Sequence, residues 1–248
     1  MAYTRQHIIE EIETAAKDNI AQFYNGNFVN RSGTTSDTKE YYTEIVSKWL
    51  ADKIESGNNP FGAISVITRK DYKTDLHDES KTDLQDKFNK DSLDEIKKRN
   101  KRFEEAIAKD MHKRTLEHLG KILDYQTPLK NVRDDKAGKI DLLAYNKEEN
   151  ILRILELKSP DNKESMLRCV LEGYTYLKTV NTDKLLDSFN SKVPGDAAVK
   201  ASPLVAYGNA QHKEMLEGRP ELERLMKLLD CKPFYYTKEN GEYIIREK

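Results

Sequence analysis

Two apolar runs of strand length, residues 138–145 and 151–158, flank the polar stretch Asn146-Lys-Glu-Glu-Asn150. That pattern predicts a β-hairpin with a loop of about five residues. Each run carries charge where a buried strand should not. Asp141 sits between Ile140 and Leu142, and Glu156 and Lys158 bracket Leu157. Strand side chains alternate, so Glu156 and Lys158 share a face, and pairing of the two runs can bring Asp141 beside them. Burying an unpaired carboxylate is costly, so such groups usually bind something.

The same periodicity organises the rest of the chain. Ile8, Ile9, Ile12, Ala15, Ala16, Ile20 and Phe23 recur at helical spacing and predict a helix over 4–24, with Thr4 as N-cap. A loop over 25–36 leads to a second helix over 37–55, for which Glu40 is placed to complete a capping box. Residues 61–68 are a short apolar run that reads as a strand, with a buried helix as the alternative. A capping box at Ser92–Glu95 opens a long helix to about residue 119 with the stripe Phe103, Ile107 and Met111, closed by Gly120. The first sheet strand follows over 121–130, and 131–137 is a charged turn. After the hairpin, Met166, Leu167, Val170, Leu171, Tyr174 and Leu177 make an amphipathic helix to about Thr179. A short helical piece over 183–190, a strand over 203–207 and a helix over 219–230 come next. A hairpin around Asn240-Gly241 ends the chain. The fold class expected is α/β: helix, three strands, helix, strand, with the crossover between the third and fourth strands parallel.

Composition divides the chain. Charged residues make up 34% and the net charge is −1, so a nucleic-acid partner would have to be met by local basic patches. Residues 69–102 hold 11 Lys or Arg and 9 Asp or Glu. This charged arm ends in the basic cluster Lys98, Arg99, Lys101 and Arg102, suited to phosphate contact. The expected division is a helical N-terminal region over 1–91 and a core over 92–248. Two cysteines, Cys169 and Cys231, imply no disulfide framework and fit a reducing cytoplasm. No apolar run approaches membrane-spanning length, so no membrane partner is expected. There is no zinc-ligand spacing, internal repeat or Gly-rich phosphate loop.

Two carboxylates and a lysine at one end of a sheet suit phosphodiester hydrolysis. The carboxylates can hold a hard divalent cation, Mg²⁺ with Mn²⁺ as substitute, which polarises a phosphoryl group and acidifies water. The lysine can orient that water or stabilise developing charge. A strand with Asp141 followed by Glu156-Leu157-Lys158, the second carboxylate 15 positions after the first, resembles the PD-(D/E)XK nuclease superfamily. Gly138 fits the frequent Gly-x-x-Asp form, while Ile140 stands where the family name has proline. The resemblance spans 92–208 and implies a restriction-endonuclease-like core. It implies metal binding by Asp141, Glu156 and the Leu157 carbonyl, and water activation by Lys158. It also implies a glutamate lent by the helix before the sheet. At about 100° per residue Glu104 falls about 20° beyond Met111, at the edge of the apolar stripe, ahead of Glu105 and Glu117 for that role. Arg168, on the helix after the Glu-x-Lys strand, is a candidate phosphate contact. The substrate implied is nucleic acid, with DNA ahead of RNA. Homodimers occur among such nucleases, and nothing in these residues fixes that state. Two other readings stay open: an inactive nuclease-fold module that binds nucleic acid or a protein, and an unrelated α/β domain with a structural Glu156–Lys158 pair.

Overall fold

The computed structural model describes residues 3–73, 103–129 and 138–247. The basic cluster Lys98, Arg99, Lys101 and Arg102, the capping box at Ser92 and the turn over 131–137 lie outside the described residues. The chain is a mixed α/β protein with seven α-helices among the described residues and one seven-stranded sheet. Its helices are α1 (Arg5–Asn19), α2 (Tyr42–Glu55), α3 (Phe103–Met111), α4 (Met166–Thr179), α5 (Thr182–Ser188), α6 (Ala210–Leu216) and α7 (Pro220–Leu228). Its strands are β1 (Thr115–Leu116), β2 (Gly120–Pro128), β3 (Lys139–Asn146), β4 (Ile151–Lys158), β5 (Ala198–Ala206), β6 (Phe234–Glu239) and β7 (Glu242–Arg246). They lie in the sheet in chain order. β1 to β4 form an antiparallel meander, β4–β5 and β5–β6 are parallel across helical crossovers, and β6–β7 is a hairpin. The sheet is nearly closed: Cα atoms of β1 and β7 come within 8 Å of each other.

Alternation gives the sheet two buried faces. Leu143 and Tyr145 of β3 and Leu152 and Ile154 of β4 join α1, α2, α4, α5 and α7 in one hydrophobic cluster. Leu142, Ala144, Leu155 and Leu157 face the other way, onto Ile107, Ala108 and Met111 of α3. The first cluster runs without a break from the N-terminal helices into the sheet. Its centre includes Leu50 on α2, which is 0% exposed. Leu50→Ala is expected to cost about 3 kcal/mol, read as a lowered urea midpoint at unchanged m-value.

Several expected elements differ. α2 begins at Tyr42 without a side-chain cap. Glu40 does not form a capping box: Thr38 Oγ1 donates to it at 2.6 Å and Arg5 lies 3.2 Å away. Residues 61–68 are not a strand. Pro60–Ala63 forms a 3-10 turn, which Pro60 favours at its first position, and Ile67 makes only an isolated bridge to Val180. The helix before the sheet stops at Met111, eight residues early, because Lys113 takes a left-handed conformation (φ 68°) and Arg114 folds back. Gly120 therefore opens β2 rather than closing a helix. Its φ is +77°, and a Cβ there would lie 2.1 Å from the Tyr145 carbonyl oxygen. Gly120→Ala should destabilise by about 2–3 kcal/mol in urea unfolding; an unchanged midpoint would contradict the close packing of β2 on β3. The fourth core strand is longer than residues 203–207, and the short α6 was not foreseen.

Candidate active site

The β3–β4 register pairs Leu142 with Leu155 and Leu143 with Ile154. One step further along, Asp141 and Glu156 stand at neighbouring positions at the same end of the sheet. Glu156 and Lys158 continue the row of Leu152 and Ile154, so they face α4, as alternation requires. Both are 4% exposed. Lys158 Nζ donates to Glu156 Oε1 at 2.8 Å. Asp141 is half-buried. Its Oδ2 accepts from the Leu157 amide at 2.9 Å and its Oδ1 from Gln126 Nε2 at 2.9 Å. The β3–β4 pairing thus brings Asp141, Glu156, Leu157 and Lys158 together.

α4 is set firmly over this row. Ser165 caps it by accepting from Arg168 N and donates its hydroxyl proton to the Val29 carbonyl at 2.7 Å. Glu214 from α6 accepts from Met166 N at 2.7 Å. Two acids that sequence reasoning did not assign to the site come with α4: Glu164, just before the cap, and Glu172 on the helix. Lys158 Nζ lies 2.8 Å from Glu164 Oε2 and 3.4 Å from Glu172 Oε2. Tyr176 donates its hydroxyl to Glu172 Oε1 at 2.9 Å. The i, i+4 spacing of Arg168, Glu172 and Tyr176 was the available signal. Arg168 belongs to the same network: it contacts Glu164 at 2.7 Å and donates to the Tyr24 carbonyl at 3.0 Å and Asn25 Oδ1 at 3.1 Å. Its guanidinium is therefore occupied within the chain.

Glu104 reaches the strand end from the opposite face. Its Oε1 accepts from Ser159 N at 3.0 Å, Ser159 Oγ at 3.3 Å and Asn162 Nδ2 at 2.9 Å. It is pinned just beyond Lys158 rather than onto the carboxylate pair, close enough for Asp141 to feel its charge. Glu117 is remote, beside His118 at 3.7 Å.

The electrostatics follow from burying more acid than base. Burial raises the Asp141 carboxyl from 3.8 to about 7. Lys158 and the Leu157 amide oppose that rise, while Glu104 and Glu172 add to it. Burial, and then the neighbouring Asp141, push Glu156 well above the ordinary carboxylate range. Burial alone would lower the Lys158 ammonium, but Glu156 and Glu172 overcome it and raise it. Burial, then Glu156 and Glu172, raise the Tyr176 phenol, which stays protonated as a donor. Lys158 and Arg168 lie among four carboxylates, Asp141, Glu156, Glu164 and Glu172, with Glu104 on the opposite face. Such a surplus of hard oxygen donors is the setting a divalent cation neutralises. Among the described residues no three His, Cys, Asp or Glu side chains are arranged as a ready-made metal group. Mg²⁺ needs fewer, since one or two carboxylates with waters and phosphate oxygens suffice. Asp141, Glu156 and the backbone of Leu157 fit that requirement in chemistry.

Both cysteines are free and buried. Among the described residues no helix is long and apolar enough to cross a membrane. The chain matches no family model, no curated protein and no solved structure.

Proposed function

We propose that this chain is a divalent-cation-dependent nuclease of the PD-(D/E)XK kind, built on a restriction-endonuclease-like core and hydrolysing phosphodiester bonds of nucleic acid, DNA ahead of RNA. The observation that carries this reading is the junction of Asp141 with the Glu156–Lys158 pair at one end of two paired strands. The order α3, β2, β3, β4, α4, β5 supports it. Asp141, Glu156 and the Leu157 carbonyl would hold Mg²⁺ or Mn²⁺. Bound there, the cation supplies Lewis acidity toward the phosphoryl oxygen and a water of lowered pKa. Leu157 N–H and Gln126 fix the Asp141 carboxylate in place. Lys158, its pKa raised, keeps its proton. It therefore serves as a donor that orients water and offsets developing negative charge, not as the base. Glu104, held by Ser159 and Asn162, adds negative charge at the strand end.

One observation favours a second reading, an inactive nuclease-fold module that binds nucleic acid or protein. Lys158 is enclosed by three carboxylates and 4% exposed. Cleavage assays separate the two. Wild type and Glu156→Gln are incubated with plasmid, linear duplex, single-stranded DNA, branched DNA and RNA, in Mg²⁺, Mn²⁺ or chelator. Cutting that needs the cation and is lost in Glu156→Gln is the expected result. Calorimetric Mn²⁺ binding without cutting of any substrate would favour the binding module. Neither cutting nor cation binding would sink the nuclease reading.

A further inference from the structure

Beside the carboxylate cluster lies an open cavity of about 320 Å³, walled by the 3-10 segment at Ile20–Asn25, residues 63–67, α4 and the start of β3. Two observations set it apart. First, in a chain that is 34% charged, none of the described residues lining it is charged. Its wall combines apolar surface, such as Ile64, with the neutral polar groups of Asn19, Gln22 and Thr175 and the rings of Tyr24 and Tyr176. Second, Thr175 lines it at 3% exposure, and its Oγ1 is buried without a hydrogen-bond partner among the described residues. A buried hydroxyl left unpaired is costly unless something else satisfies it.

Tyr176 is the wall shared with the cluster. Its ring lines the cavity while its hydroxyl donates to Glu172, which touches Lys158. Gly138, three residues before Asp141, lines the cavity too, and a Cβ there would strike the Tyr176 hydroxyl at 2.4 Å. The two compartments are therefore adjacent and of opposite character, one rich in carboxylates and the other neutral. A cation-bridged phosphate suits the first. The second repels no neutral group, offers apolar and aromatic contact, and is lined by Thr175, whose buried hydroxyl has no partner among the described residues. Its volume falls at the lower end of the range for small-molecule sites.

We propose that this cavity takes one unpaired nucleobase of the substrate, whose phosphate lies at the carboxylate cluster. The inference rests on the nuclease reading and narrows it, because a base can enter only from a single strand, a frayed end or an extrahelical position. Thr175 Oγ1 hydrogen-bonds the base edge, and Tyr24 and Tyr176 bound the ring.

The test is independent of cleavage. The four free 2′-deoxynucleosides, with inorganic phosphate as control, are titrated into the full chain in chelator, and amide shifts are followed by NMR. At least one nucleoside should bind saturably with shifts at Thr175 and Tyr176, while phosphate leaves those amides unmoved. Thr175→Val, which keeps shape and removes the hydroxyl, should weaken binding about 3- to 10-fold. Ala21→Phe, which fills the cavity, should remove binding at an unchanged fold, checked by its melt. If no nucleoside binds, or if Thr175→Val binds as wild type does, the base pocket is wrong, even where cation-dependent cleavage is found. If nucleosides bind as stated and no nucleic acid is cut, the pocket stands and the nuclease reading fails.

Discussion

Asp141→Asn is expected to lower cation-dependent cleavage by at least about 10³-fold and, in the absence of cation, to make the folded protein more stable. Both effects have one cause. Burial of Asp141, with Glu104 and Glu172 adding to it, raises its carboxyl from 3.8 to about 7. A carboxyl raised on folding is protonated in the folded chain while still ionised in the unfolded one. Stability of the wild type therefore falls as pH rises from about 4 to about 7, and levels off above. Asparagine removes the charge that causes this loss. Its Oδ1 can keep the Leu157 amide, and the Gln126 amide can turn over to accept from the new Nδ2. Above pH 7 the variant should be about 2 kcal/mol more stable in urea unfolding, and the gain should fade toward pH 4. Millimolar Mn²⁺ should raise the melting temperature of wild type and leave the variant unmoved. A variant that unfolds earlier than wild type at pH 8 would contradict the electrostatic account.

Lys158→Met should cost about 3–5 kcal/mol at pH 7.5, as well as cleavage. The ammonium sits 2.8 Å from Glu156, 2.8 Å from Glu164 and 3.4 Å from Glu172. Methionine keeps the apolar length of the side chain and removes the charge, leaving Glu156 buried beside Asp141 without its cation. Glu156, already raised by burial and by Asp141, rises further. The deficit should then shrink as pH falls, because protonation becomes a smaller penalty for the folded state. Adding Glu156→Gln to Lys158→Met should recover a large part of the loss, since an uncharged pair needs no counter-ion. Melts across pH 5–8 measure all three chains. A deficit below about 1 kcal/mol would show that water, not Lys158, carries the charge of Glu156.

The part of the fold most legible in the sequence was the part whose pattern is local. β3, β4 and α4 fall where alternation and helical spacing place them, because each buries a face defined by its own residues. The Asn240-Gly241 hairpin was equally plain: both residues adopt positive φ there. What was hidden depends on neighbours. β5 begins at Ala198, well before Pro203, because its first residues pair with the start of β4. A proline in that central strand gives up one donor, which weakened the local signal. α6 has only seven residues and starts at an Asn209 cap that resembles loop sequence. Asp141, Glu156 and Lys158 were legible as misplaced charges on apolar strands. Glu164 and Glu172 were not, since an acid in the turn before a helix, or on its polar face, looks solvent-facing until the helix is laid over a sheet.

The near-closure of the sheet also decides how copies of this chain can meet. β1 is two residues long, and Arg114 beside it donates to the Gly241 carbonyl in the β6–β7 turn at 3.2 Å and lies 3.5 Å from Glu242. Each rim thus touches the other, and the two-residue β1 itself offers few backbone groups to a further strand. Strand addition between molecules, the usual route to sticky sheets and fibrils, is hindered where the two rims meet.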